Sequence, residues 1–213
     1  MLHCTTPTVF VVDNDDLVRE SLMLLIQCAG WQSKAFASAF EFLAHPRSAS
    51  PCCLILDLTL PDLNGLELQE RVATEHCGMP IIFLTSHVDI AMTVKAIKRG
   101  ALEFLTKPFD SEVLLNTIRY AIKRSEITLG REMQLRKLRA DFGSLTPRER
   151  EVMAGVAAGL LNKQVGTELG ISEITVKAHR GNVMRKMKAD SFAHLVNMAS
   201  KLRVVRYLTT SAA

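Results

Sequence analysis

Residues 53–65 read Cys-Leu-Ile-Leu-Asp-Leu-Thr-Leu-Pro-Asp-Leu-Asn-Gly, a short apolar run that breaks on an aspartate and then on a proline and a glycine. A run this short and this apolar suits a strand buried on both faces, with Asp57 at its carboxyl end. Three further runs have the same character: Thr-Val-Phe-Val-Val at 8–12, Ile-Ile-Phe-Leu at 81–84 and Leu-Glu-Phe-Leu at 102–105. A weaker strand at 33–36 brings the count to five. Between the runs, 17–29, 65–73 and 90–100 carry apolar residues at spacings of three and four, the period of an amphipathic helix. A β-α unit repeated five times predicts a doubly wound α/β fold, a five-stranded parallel sheet with helices on both faces.

From 112 to 141 there is no proline and one glycine, Gly130, in a sequence rich in Leu, Ile, Arg, Lys and Glu. One helix of about 28 residues is expected there. Its first half, with Val113, Leu115, Ile118 and Ile122, can pack on the sheet. Its second half, with Arg131, Glu132, Arg136, Lys137 and Arg139, reads as a linker too polar for a core. At Thr146-Pro147-Arg148-Glu149 a new helix begins: threonine at the N-cap, proline at the first helical position and glutamate at the third make a capping box. It stops near Gly159. Further helices are expected at about 163–169, ending on Gly170, from after Ser172 to about 188, and at 192–202. The organisation is therefore a sheet domain over 1–123, a helical linker over 124–143 and an all-α four-helix domain over 144–213.

Charge divides along the same line. Residues 1–123 hold 10 Lys+Arg against 14 Asp+Glu, and residues 124–213 hold 16 against 8, so an acidic half precedes a strongly basic one. A polyanion partner, nucleic acid above all, is expected for the second half alone. The five cysteines, at 4, 28, 52, 53 and 77, have neither zinc-ligand spacing nor a disulfide framework and read as reduced, mostly buried thiols. No apolar run approaches the roughly 18 residues that span a membrane. The expectation is a soluble, unprocessed cytoplasmic protein without a membrane partner.

The chemistry sits at the strand ends. Asp13 follows the first run, Asp57 the third strand, Thr85 the fourth and Lys107 the fifth, and in an open parallel sheet ligands bind outside the carboxyl ends of the strands. Two carboxylates held close repel one another, which Mg2+ offsets while leaving room for a phosphoryl oxygen. An aspartate so placed can act as nucleophile toward an activated phosphoryl group, with Lys107 neutralising the transferred charge and the Thr85 hydroxyl donating to it. Taken singly, a strand-end aspartate more often caps a helix and a lysine is more often solvated. Four such residues at successive strand ends favour the functional reading.

In the basic half, Leu160 to Arg180 reads as two helices joined by a tight turn containing Gly170, the helix-turn-helix arrangement. Ser172 can cap the second helix and Glu173 suits its positive end. Val176, Val183 and Met187 fall on one face, which leaves Thr175, Lys177, Arg180, Asn182, Arg185 and Lys186 for phosphates and base edges.

The segments Val11-Val12-Asp13-Asn14-Asp15, Leu56-Asp57 through Asn64-Gly65, Leu84-Thr85-Ser86 and Phe104-Leu105-Thr106-Lys107-Pro108-Phe109 resemble the receiver domain of two-component response regulators over about 7–125. The resemblance implies that Asp57 is phosphorylated by a partner sensor histidine kinase. It implies that Asp13, Asn14, Asp57 and the Thr59 carbonyl hold Mg2+, that Thr85 and Lys107 engage the phosphoryl group, that Lys107-Pro108 is cis, and that Phe104 is the switch aromatic. Most receivers carry a second acid where this chain has Asn14, so weaker metal affinity is expected; Asp15 stands in register to cap the next helix. Leu145 to about 202, with Leu-Thr-Pro-Arg-Glu-Arg-Glu-Val and Thr-Val-Lys-Ala-His-Arg, resembles the LuxR-type DNA-binding domain, and the pair of domains resembles the FixJ/NarL class. That resemblance points to Lys163, Thr175, Lys177, Ala178, His179, Arg180, Asn182 and Lys186 as DNA-binding residues, with Gly181 where NarL-like members present a lysine. It implies a transcription activator that binds promoter DNA and works with RNA polymerase; phosphorylation either exposes a dimerisation face on the helix 90–100 and its neighbouring strand or releases a recognition helix that the receiver covers. The chain looks most like StyR/TodT-like regulators of aromatic hydrocarbon catabolism.

Two other classes fit less well. A haloacid-dehalogenase-type phosphatase needs a second acid two residues after the nucleophile, where this chain has Thr59. A ligand-sensing quorum regulator needs an aromatic-rich sensor pocket, and the first half offers one Trp, Trp31, and one Tyr, Tyr120. No enzyme activity beyond phosphotransfer to and from the chain itself is expected.

Overall fold

The computed structural model describes residues 6–46, 50–75, 78–86 and 89–204. The chain divides into two compact units, Met1–Gly130 and Arg131–Ala213. The first holds strands β1 (Thr8–Val12), β2 (Gln32–Phe36), β3 (Cys52–Asp57), β4 (Ile81–Thr85) and β5 (Glu103–Thr106). All pair in parallel in the order β2-β1-β3-β4-β5. The order reverses direction between β1 and β3, the switch point at which open sheets of this kind leave a crevice.

Every residue of β1, β3 and β4 is buried, whereas β2 and β5, at the edges, alternate or stay half-exposed. Alternate side chains of the central strands feed two cores. Phe10, Val12, Leu54, Leu56 and Phe83 meet Phe42, Leu68, Val72 and Ala96 on one face. Val9, Val11, Cys53, Ile55, Ile82 and Leu84 meet Leu22, Ile26, Leu114 and Ile118 on the other. The helices supplying those partners are α1 (Asp16–Cys28), α2 (Ala39–Leu43), α3 (Gly65–Glu75), α4 (Ile90–Lys98) and α5 (Ser111–Gly143). Asp15 caps α1, accepting from the N–H groups of Leu17 and Val18. Gly65 opens α3 against β3's exit: a Cβ there would stand 2.9 Å from the Asp57 carbonyl oxygen, a separation that leaves only glycine room.

α5 is a single helix of 33 residues, longer than the expected 28. The view of 124–143 as too polar for a core holds only for its exposed side. Ser125 is buried, and its hydroxyl accepts from the Cys52 N–H at 3.1 Å. Leu138 is buried in the core of the second unit, with Leu135 and Phe142 packed beside it. The expectation of mostly buried thiols holds for two of the three described cysteines. Cys52 and Cys53 are buried thiols, and burial holds the Cys53 thiol protonated far above its ordinary range, while Cys28 is exposed. Cys4 and Cys77 lie outside the described residues.

Beyond α5, the second unit is built from α6 (Pro147–Ala157), α7 (Asn162–Leu169), α8 (Glu173–Lys186) and α9 (Phe192–Leu202). The Thr146–Glu149 capping box is formed in both directions. Gly170 ends α7 in the left-handed conformation, at φ 65°. At Gly166 a Cβ would lie 2.7 Å from the Ile171 carbonyl oxygen, so the turn between α7 and α8 closes this tightly only over glycine. Val176, Val183 and Met187 are fully buried against Val152, Met153, Leu195 and Ala199. Among the described residues no helix is long and apolar enough to cross a membrane.

Candidate functional site

Three adjacent strands bring the acids and the hydroxyl to one edge of the sheet. Val12 pairs with Leu56 and Asp57 pairs with Leu84, so Asp13, Asp57 and Thr85 emerge side by side. All three are buried, at 1%, 7% and 1% exposure. β5 delivers Lys107 to the same place: Thr106 pairs with Thr85, the Lys107 N–H donates to the Thr85 carbonyl at 2.8 Å, and Lys107-Pro108 is cis.

The Lys107 ammonium bridges the carboxylates, donating to Asp13 Oδ2 at 2.5 Å and to Asp57 Oδ2 at 3.1 Å. The other oxygens accept from backbone: Asp13 Oδ1 from Asp15 N–H at 3.0 Å and Asp57 Oδ1 from Thr59 N–H at 3.1 Å. Two buried anions are thereby offset by one cation and two oriented amides. Burial alone would lower the lysine's pKa, but the hydrogen bonds and charges of Asp13 and Asp57 outweigh it and hold the ammonium above its ordinary value.

Of the four expected ligands, Asp13 and Asp57 meet at this edge, close in sequence to the exposed Asn14 and Thr59, and the expected ligand atoms are all oxygens. That set fits a hard ion such as Mg2+ rather than a soft metal. Among the described residues no three His, Cys, Asp or Glu side chains gather into a cage, so an ion at this edge would keep water ligands. Arg19 was not singled out from the sequence. Its guanidinium donates to the Asp13 carbonyl at 2.6 Å and pairs with Asp16, anchoring the exit of β1. Asp62 was missed too: its carboxylate accepts from the Ala39 and Phe40 N–H groups at 3.1 and 2.8 Å, tying the segment after Asp57 to the start of α2. Phe104 lies on β5 with its ring 5.9 Å from that of Phe83, half-buried at the margin of the core.

The second cluster is on α7 and α8. Ser172 caps α8 and its hydroxyl meets that of Thr175 at 2.8 Å, while Lys177 pairs with Glu173 at 2.9 Å. Lys163, Lys177 and Ala178 are exposed; His179 and Asn182 are half-buried. Arg180 donates to Asn162 at 3.3 Å and lies over the Phe192 ring at 4.6 Å, which fixes it between α7 and α9. Lys186 departs from the expected outward role. Its ammonium turns inward to Glu149 Oε2 at 2.6 Å and the Ser144 carbonyl at 3.3 Å, because the buried capping-box carboxylate needs a counter-charge. Lys186 and the Thr146 N–H and hydroxyl hold Glu149 ionised below its ordinary range.

A strand-edge Asp–Asp–Lys cluster on this sheet order, followed by a helix-turn-helix, defines a two-domain response regulator. The chain belongs to the response regulator receiver domain family, matched over residues 9–119, and its second half to the bacterial regulatory proteins of the luxR family, matched over 143–199. Together these make it a transcription regulator of the FixJ/NarL class. It is similar to Nodulation protein W of Bradyrhizobium diazoefficiens, 44% identical over 94% of this chain and 88% of that one. It is 41% identical to Response regulator protein TodT of Pseudomonas putida, over 92% of this chain and 86% of that one. The low-resolution structure of Response Regulator StyR matches 92% of this chain and 100% of that one at 45% identity, with a TM-score of 0.80.

Proposed function

We propose that Asp57 accepts a phosphoryl group from a phosphohistidine of a partner kinase. The observation that carries this reading is the Lys107 ammonium shared between the buried Asp13 and Asp57. Asp57 Oδ2, which accepts from Lys107 and from no backbone donor among the described residues, is the nucleophile: a P–O bond forms, the P–N bond breaks, and the released imidazole takes a proton. Asp13, Asn14, Asp57 and the Thr59 carbonyl hold Mg2+, which supplies charge neutralisation for the phosphoryl oxygens. Lys107 shifts from the carboxylates toward the new phosphoryl group, and the Thr85 hydroxyl donates to it. Phe104, beside Thr85 on the neighbouring strand, follows that movement as the switch aromatic.

The phosphorylated domain dimerises through α4 and β5, where Ile90, Val94 and Ile97 are exposed, and two helix-turn-helix units then bind a two-fold-related promoter site. Lys163, Thr175, Lys177, Ala178, His179, Arg180 and Asn182 supply its contacts, and the bound dimer activates transcription with RNA polymerase in the cytoplasm. The resemblance to StyR/TodT-like regulators supports target genes of aromatic hydrocarbon catabolism. Acetyl phosphate with Mg2+ is expected to add one phosphoryl mass to the wild type and none to Asp57→Asn, and to strengthen promoter binding of the wild type alone. Equal DNA affinity of both proteins in every condition would overturn control by Asp57.

A further inference from the structure

Ile174 lies in the first turn of α8 and is 79% exposed, more than any other large apolar side chain among the described residues. The helix does not need it there. Its core contacts come from Val176, Val183 and Met187, its cap from Ser172, and its favourable first-turn charge from Glu173. At 3.6 residues per turn Ile174 points roughly 160° away from Val176, out of the domain. On the same outward side Ala178 is exposed, and Gly181 has open space where a Cβ would be, so neither holds the start of the helix away from an approaching surface. Residues at the N-terminal end of a groove-entering helix are the ones that reach base edges. Ile174 can offer such an edge only van der Waals contact, and in the major groove the one apolar group on any base edge is the 5-methyl of thymine.

We propose that Ile174 reads a thymine methyl group, making it a specificity residue of the DNA site. The inference rests on the reading of α7 and α8 as the DNA-binding pair and names what one position of the operator must be. A contact of this kind discriminates without adding charge, so it changes sequence preference and leaves the salt-dependent, non-specific affinity alone.

The test uses the full chain treated with acetyl phosphate and Mg2+. A preferred duplex is selected from a random library, and each thymine in it is then replaced by deoxyuridine, which removes only the methyl group. Wild type is expected to lose roughly three- to fivefold in affinity at one such position, about the worth of one buried methyl group. Ile174→Ala is expected to bind the thymine and uracil duplexes equally, with non-specific binding within about twofold of wild type. No uracil-sensitive position, or the same sensitivity retained in Ile174→Ala, overturns the proposal. Failure of the wild type to select any sequence overturns the DNA-binding reading itself and is distinguishable from both.

Discussion

Lys107 is the residue on which the acidic edge turns, because two buried carboxylates share its one charge. Removing one partner of such a group leaves uncompensated charge, so Lys107→Met is expected to destabilise the first domain by about 2–4 kcal/mol in chelator. Added Mg2+ should raise the mutant's melting temperature by more than it raises the wild type's, since metal can take over the lysine's role; equal shifts would separate the metal from these carboxylates. The lysine's raised pKa adds a sign. Its stabilising contribution is complete below the unfolded value and is lost only as pH climbs through the higher folded one. Asn14 contributes oxygen without charge, so Asn14→Asp should tighten Mg2+ binding, on the order of tenfold by calorimetry. Asp13, Asp57, Thr85 and Lys107 were legible in the sequence because each closes an apolar run. Arg19 and Asp62 were not: what ties them to the site is backbone, the Asp13 carbonyl and the Ala39 and Phe40 N–H groups, which carry no signature in side-chain type.

At the scale of elements, what is local was readable and what is long-range was not. The Thr146–Glu149 box, the Asp15 and Ser172 caps and the Gly170 stop each lie within a few residues of what they satisfy, and all form where expected. α2, at five residues, is too short to show a period, and its start depends on Asp62, 22 and 23 residues away. Lys186 and Glu149 are 37 residues apart, and no pattern on α8 distinguishes an inward lysine from an outward one. Glu149 ties α6 to α8 through that pair. Its depressed pKa means that the stabilisation is present above the unfolded carboxylate value and is lost as pH falls through the folded one. Wild type should therefore lose stability in the second domain below about pH 4.5 more steeply than Glu149→Gln, which should start less stable at neutral pH. Urea titrations at several pH values report both; parallel pH curves for the two proteins would remove Glu149 from the acid transition.

For the whole molecule, the two compact units meet in sequence at Gly130, within the continuous helix α5. The acidic and basic halves of the chain announced two domains, but not that α5 would give Ser125 to one core and Leu138 to the other. Helical polarity alone could not separate a linker from a helix packed on one side. A Cβ at Gly130 meets nothing within 4 Å, so packing does not require glycine there. Glycine in a helix interior costs about 1 kcal/mol relative to alanine, so helix propensity is low at the point of α5 where the two units divide. Gly130→Ala should stiffen α5 while leaving Asp57 phosphorylation, read by intact mass, unchanged. If signalling bends the helix at this residue, the phosphodonor-dependent gain in DNA affinity should shrink several-fold in Gly130→Ala, and Gly130→Ser should fall between the two. An undiminished gain in the alanine variant would mean that α5 acts as a rigid spacer and that dimerisation of the first domain suffices to pair the DNA-binding units.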